Sequence, residues 1–330
     1  MSVTFLGRGV VIVAVATVSL MVPLGASATP PGRNGRIAFT AGTERGDQLF
    51  TVRPDGKHLR QITHVDGDAA NVDWAPDARH LTFVIGSEES SRVAVADAQG
   101  SDVRVLPQPL GVFDDQPSYS PDGQVIYFER FTVATNEVAI WRMASDGSNQ
   151  RRLLNPFPNG FVTDPNVSPD GRTLSFQGFD GTVTGPAPDN EPARGLFTAD
   201  IDGQHVRQVR PFSADETVKA DWAPDGRRIA VTENANHLRP ADSANIVTMR
   251  PDGTRLRQVT RFHDGVTNAF LGSYSPDGRW IVYRLEVDGL FALYRSHPDG
   301  THRRAILPPS ELRPSLIDWG ARTQERDQHH

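Results

Sequence analysis

Hydrophobic positions along this chain fall in short runs rather than at helical spacing. "IAFT" (37–40), "LTFVI" (81–85), "VIYFER" (125–130), "TLSFQG" (173–178), "IAVTE" (229–233) and "WIVYRLE" (280–286) are rich in β-branched and aromatic residues. Each is bounded by Gly, Pro, Asp or Asn. Such runs read as strands between turns. No helical periodicity of useful length follows residue 28.

The runs recur with a period. An aromatic or aliphatic residue precedes each Pro-Asp-Gly turn by two positions: Trp74, Tyr119, Val167, Trp222, Tyr274, and Trp319 in "IDWG". The spacings are 45, 48, 55, 52 and 45 residues. A second marker, the glycine of a DG-type turn, stands at Gly56, Gly100, Gly147, Gly203, Gly253 and Gly300. Two independent markers share one repeat, and each repeat holds four short strands. Six sheets of four antiparallel strands cannot bury both faces alone, but can when stacked radially. The expected fold is therefore all-β, a six-bladed β-propeller over 35–320. The first readable strand is a second strand of the repeat and the last, 315–320, is a first strand. The C-terminal strand should therefore complete the N-terminal blade and leave no open seam.

The repeated letters have backbone reasons. Pro suits the first corner of a type I turn, Asp tolerates the second, and Gly takes the left-handed position that follows. Four residues after each DG-type glycine stands an arginine: Arg60, Arg104, Arg151, Arg207, Arg257 and Arg304. A cation on every outermost strand discourages edge-to-edge pairing. It would also lie near the turn aspartates Asp55, Asp146, Asp202, Asp252 and Asp299. Just before each aromatic sit Asp73, Ser118, Asn166, Asp221, Ser273 and Asp318. These would bond the backbone of the adjacent blade or line a central channel.

The N-terminus changes the picture of location. "GVVIVAVATVSLMVPLG" (9–25) is apolar and short for a membrane span, and "ASA" (26–28) is a small-residue cleavage pattern. Residues 1–28 read as a signal peptide cut after Ala28, with a retained anchor as the rival. The protein is expected to be secreted, periplasmic or otherwise in the cell envelope. Residues 29–34 then form a short linker and 321–330 a disordered polar tail. The propeller would start within about ten residues of the cleavage site.

Composition excludes several classes. Gly (29) and Pro (25) among 330 residues suit a turn-dense β protein. The net charge of −6 has the wrong sign for a nucleic-acid binder. With no cysteine there is no disulfide, thiolate metal site or lipobox. No G-x-S-x-G, H-E-x-x-H or phosphate loop occurs. "VDGDAAN" (65–71) offers the oxygens of Asp66 and Asp68 but no EF-hand frame, so no cofactor is expected and Ca²⁺ there is a minor possibility.

The W/Y-S/A-P-D-G motif with its "IAF"-like strand, followed by "V-x-P-D-G…L-R-Q-[IV]-T", resembles the TolB-like six-bladed propeller family. Its blades are similar to WD repeats. The resemblance covers 35–320 and implies the fold, while leaving function nearly open.

Function should lie where the repeats disagree, on the face opposite the Pro-Asp-Gly turns. The inter-blade loops there are read as carrying Asp66, Asp68, Asp114, Asp115, Asp164, Asp215, Glu216, Asp264 and Glu311. Two long loops, 178–195 and 233–244, belong to adjacent blades. The candidate ligand-binding residues at this mouth are His64, Asp68, Asp115, Asp164, Asp215, His237, Arg239, His263 and Asp264. The expected function is non-catalytic binding of a peptide, protein or cell-wall component by a monomer, with no nucleic acid and no membrane span after cleavage. The alternative is an exported hydrolase or lyase acting on glycans. It would use mouth carboxylates about 5–9 Å apart together with His64, His237 or His263.

Overall fold

The computed structural model describes residues 31–87, 89–184, 192–213, 218–233 and 243–322. The expected signal peptide, the centres of both long loops and the tail beyond Arg322 lie outside the described residues. Asp215, His237 and Arg239 lie outside them as well.

The strands build six antiparallel four-stranded sheets. Blade 1 combines 34–61 with the C-terminal strand Ser315–Ala321; blades 2 to 6 span 68–105, 112–154, 161–213, 218–258 and 268–310. Ile37 pairs with Trp319 and Ala38 with Asp318, so the last strand is the innermost strand of the first blade. Covalent order thus stitches the ring, and no blade edge is left open at the seam.

Six apolar clusters hold the ring, one at each junction between neighbouring blades. Between blades 1 and 2, for example, Leu49 and Ile62 meet Trp74 and Phe83. Between blades 6 and 1, Val282 and Leu293 meet Phe39 and Trp319. Each fully buried Phe or Leu in such a cluster contributes about 1.5–3 kcal/mol. A blade removed from the ring would expose one such cluster on each side.

The turn motif acts locally, as its chemistry predicts. Asp122 Oδ1 accepts the Ser120 hydroxyl at 2.6 Å and the Gln124 N–H at 3.0 Å, while Ser120 Oγ accepts the Val125 N–H at 2.9 Å. The same set recurs at Ser168–Asp170 and Ser275–Asp277. These aspartates spend their oxygens on their own turns. The six edge arginines are exposed, and among the described residues none forms an ion pair with a turn aspartate. The DG-type glycines have a further reason. Gly100 has φ +80°, and a Cβ there would lie 1.8 Å from Ile62 O of the preceding blade.

Four acids assigned to loops lie in strands. Asp68 belongs to Asp68–Trp74, Asp114 and Asp115 to Val112–Tyr119, and Asp164 to Phe161–Val167. Asp115 and Asp164 line the central channel, whereas Asp114 does not. Its carboxylate binds Arg130 through Nε at 2.5 Å and Nη2 at 2.7 Å, with both side chains almost fully buried. The guanidinium also lies over Phe128 and Trp141.

Candidate functional site

The channel wall is made by an irregularity repeated in the innermost strands. The pairing register shifts between Ala70 and Asp73, Asp115 and Ser118, Thr163 and Asn166, Val218 and Asp221, and Leu271 and Tyr274. Asn71, Gln116, Asp164, Lys219 and Leu316 take left-handed backbone, with φ between 46° and 54°. Bulges of this kind re-aim a side chain. All five residues line a central cavity of about 450 Å³.

A second set of lining residues stands two positions later in each strand: Asp73, Ser118, Asn166, Asp221 and Asp318. Both roles foreseen for them are realised. Asp73 Oδ2 accepts the Tyr119 N–H of the next blade at 2.8 Å. Asp221 Oδ2 accepts that of Tyr274 at 2.7 Å, and Asp318 Oδ2 that of Trp74 at 2.8 Å. Ser273 Oγ serves Trp319 N–H at 2.8 Å. Blades 3 and 4 break the pattern, because the buried Ser118 Oγ and Asn166 Oδ1 have no hydrogen-bond partner among the described residues.

The cavity gathers carboxyl groups around one interior lysine. Lys219 Nζ donates to Ile317 O at 2.6 Å. Burial pushes the Asp221 carboxyl up to about 8; the Tyr274 N–H opposes this, and Asp318 adds to it. Burial, then the neighbouring Asp318, holds Asp73 well above the usual carboxylate range. Burial also raises Asp115, Asp164 and Asp318. Glu129 is raised to about 7 by burial, against the Thr163 hydroxyl that bonds it. In each case a charged carboxylate loses water that the wall does not fully replace. Near neutral pH Glu129 can therefore hold or release a proton, and several neighbours remain protonated longer than exposed acids would.

Aromatic rings and two guanidinium groups complete the lining. Phe161 and Phe179 stack at 3.9 Å, with Arg194 over Phe179 at 4.5 Å. Arg284 lies 4.2 Å from the Phe270 ring, and burial followed by Arg313 lowers it to about 10.

Of the candidates read from sequence, Asp115 and Asp164 reach the cavity. Asp115 Oδ1 accepts Asn71 Nδ2 at 2.6 Å, and Asp164 Oδ2 accepts the Ala220 N–H at 3.0 Å. His64 and His263 are exposed and do not line it. Asp68 accepts the Asp47 N–H at 2.7 Å, joining blade 2 to the strand Gly46–Val52 of blade 1. Asp264 accepts the Val266 and Thr267 N–H groups at 3.0 and 2.7 Å, which hold its carboxyl below the usual range. Among the described residues, no three His, Cys, Asp or Glu side chains converge to hold a metal. Sequence reasoning did not single out Glu129, Lys219 or Arg284. The signal for Lys219 was its place three residues before Trp222, matching Asn71, Gln116 and Asp164 before their own markers.

A family described as the TolB beta propeller domain matches residues 25–171. The chain is 28% identical over 159 residues to an uncharacterized protein of Agrobacterium fabrum, covering 48% of this chain and 52% of that one. It is 32% identical over 89 residues to the Tol-Pal system protein TolB 1 of Novosphingobium aromaticivorans, covering 27% and 18%. The chain thus spans about half the length of the first curated relative and less than a fifth of the second. The crystal structure of TolB from Acinetobacter baumannii superimposes with a TM-score of 0.68 at 18% identity, covering 89% of this chain and 68% of that one, which is a likeness of fold.

Proposed function

We propose that this chain, a TolB-like six-bladed β-propeller, is an exported binding protein that takes a peptide or a protein segment into the mouth of its channel. The carrying observation is how the channel acids are engaged. Asp73, Asp221 and Asp318 bond the backbone of the adjacent blade, and Asp115 and Asp164 bond neighbouring strands. Their geometry is held by the ring, so they present a fixed polar surface without needing a substrate to organise them. A rigid polar cavity with aromatic walls suits a partner's projecting segment. The likeness to the Tol-Pal system protein TolB 1 supports a role in the envelope.

Site-specific photo-crosslinking tests the reading. A crosslinker at Phe161 or Leu316, on the channel lining, should capture a defined protein in intact envelopes. One at His80, on the turn face, should not. Equal capture from both positions refutes it.

One observation favours a second reading. Glu129, raised to about 7, is suited to proton transfer in a hydrolase or lyase acting on glycans. Depolymerisation of an envelope glycan that disappears in Glu129→Gln would establish it; no difference between the proteins removes it.

A further inference from the structure

The turn face, opposite the mouth, has the repeated architecture of a scaffold but an uneven charge. In blade 1 it carries Arg33, Arg36, Arg53, Lys57 and Arg60 against one acid, Asp55. Blade 5 brings Arg227, Arg228, Arg250, Arg255 and Arg257 against Asp225 and Asp252. Blade 6, between them, brings Arg279, Arg295, Arg303 and Arg304 against Asp277 and Asp299. The other half of the ring does not follow. Blade 2 sets Arg79 and Arg104 against Asp77, Asp97 and Asp102; blade 3 sets Arg142 and Arg151 against Asp122 and Asp146; blade 4 sets Arg172 and Arg207 against Asp170, Asp200 and Asp202.

The cations of this sector are available. All but Arg36, Arg228 and Arg295 are exposed, and among the described residues none joins an ion pair. The sector's five turn acids bond backbone N–H groups of their own turns instead. The crowding is felt electrostatically. Arg36 is lowered by burial and then by Arg60 and Arg53, and Arg295 by burial and then by Arg304.

Two further features distinguish a surface from a dissolved polymer as the partner. Leu59 and Leu256, each 42% exposed, project beside Arg60 and Arg257. An apolar side chain next to a cation suits the boundary between headgroups and acyl chains. The chain also enters the propeller here. Gly32 N–H bonds Pro276 O at 3.0 Å, and Arg322 N–H bonds Arg33 O at 2.7 Å. The first described residues, 31–33, therefore join the fold on the cationic side.

We propose that the turn face over blades 5, 6 and 1 docks on an anionic lipid bilayer, which leaves the channel mouth on the far face open to its partner. Each cation close to such a surface strengthens binding about fivefold, and the attraction fades beyond a Debye length of about 8 Å at physiological salt.

Protein isolated from the envelope, with the N-terminus it carries there, is sedimented with vesicles of phosphatidylcholine alone or with about a third phosphatidylglycerol. Binding is expected only to the anionic vesicles and weakens with salt. The triple variant Arg53→Glu, Arg60→Glu, Arg257→Glu should bind at least about 30-fold more weakly at an unchanged melting temperature. The matched variant Arg79→Glu, Arg104→Glu, Arg172→Glu, in blades 2 and 4, should stay within about threefold of the parent. Equal losses in the two variants, salt-insensitive binding to neutral vesicles, or capture of soluble polyphosphate in place of vesicles overturns the proposal.

Discussion

Replacing Glu129 by glutamine should make the propeller more stable at pH 8 and leave it nearly unchanged at pH 4.5. The glutamate sits in the channel wall with its carboxyl carried from the usual 4.5 to about 7. Below pH 4.5 it is protonated in both folded and unfolded chains and contributes no difference. As pH rises towards 7, the unfolded chain ionises first, so the folded state loses stability through that window. The full span corresponds to about 3 kcal/mol, and water reaching the cavity reduces this to about 1–3 kcal/mol. Glutamine keeps a neutral oxygen for the Thr163 hydroxyl and does not titrate. Urea unfolding of both proteins at pH 4.5, 6 and 8 reads the difference directly. Asp221 and the other channel acids titrate in both proteins and largely cancel. A difference that is the same at all three values, or one that favours the parent at pH 8, would refute the argument.

Further substitutions probe the scaffold. Thr232→Val removes the hydroxyl that accepts the Leu271 N–H at 2.8 Å and should cost about 1–3 kcal/mol by chemical denaturation, because that N–H is left buried without a partner. Gly100→Ala should prevent accumulation of folded protein, since its Cβ would collide with Ile62 O, whereas Gly289→Ala, with φ +75° and nothing within 4 Å, should cost only about 1 kcal/mol. Asp114→Ala should cost about 3–5 kcal/mol by stranding the buried Arg130, and pairing Asp114→Leu with Arg130→Met should recover most of that loss.

What sequence determined alone was the ring. Blade number, the phase of each blade and closure by 315–320 follow from turn chemistry and strand composition, which act within a few residues and repeat six times. The Asp-Gly turn at 122–123 is legible because its hydrogen bonds stay within five residues of Ser120. The channel was less legible. Asp115 and Asp164 were found from the acidity of the mouth, but Asp114, beside them, turns into a buried pair with Arg130. His64 and Asp264 share that acidic stretch of sequence and still miss the cavity. Asp115 and Asp164 belong to innermost strands, at or beside the bulge that turns a side chain to the axis, whereas His64 and Asp264 lie in the loops that precede such strands. Tertiary structure alone decided the electrostatics of that axis. Asp73, Asp221 and Asp318 come from three blades far apart in sequence, and each loses water because the others close the wall around it. The cationic sector has the same origin, because blades 5, 6 and 1 are neighbours only after the last strand has joined the first blade.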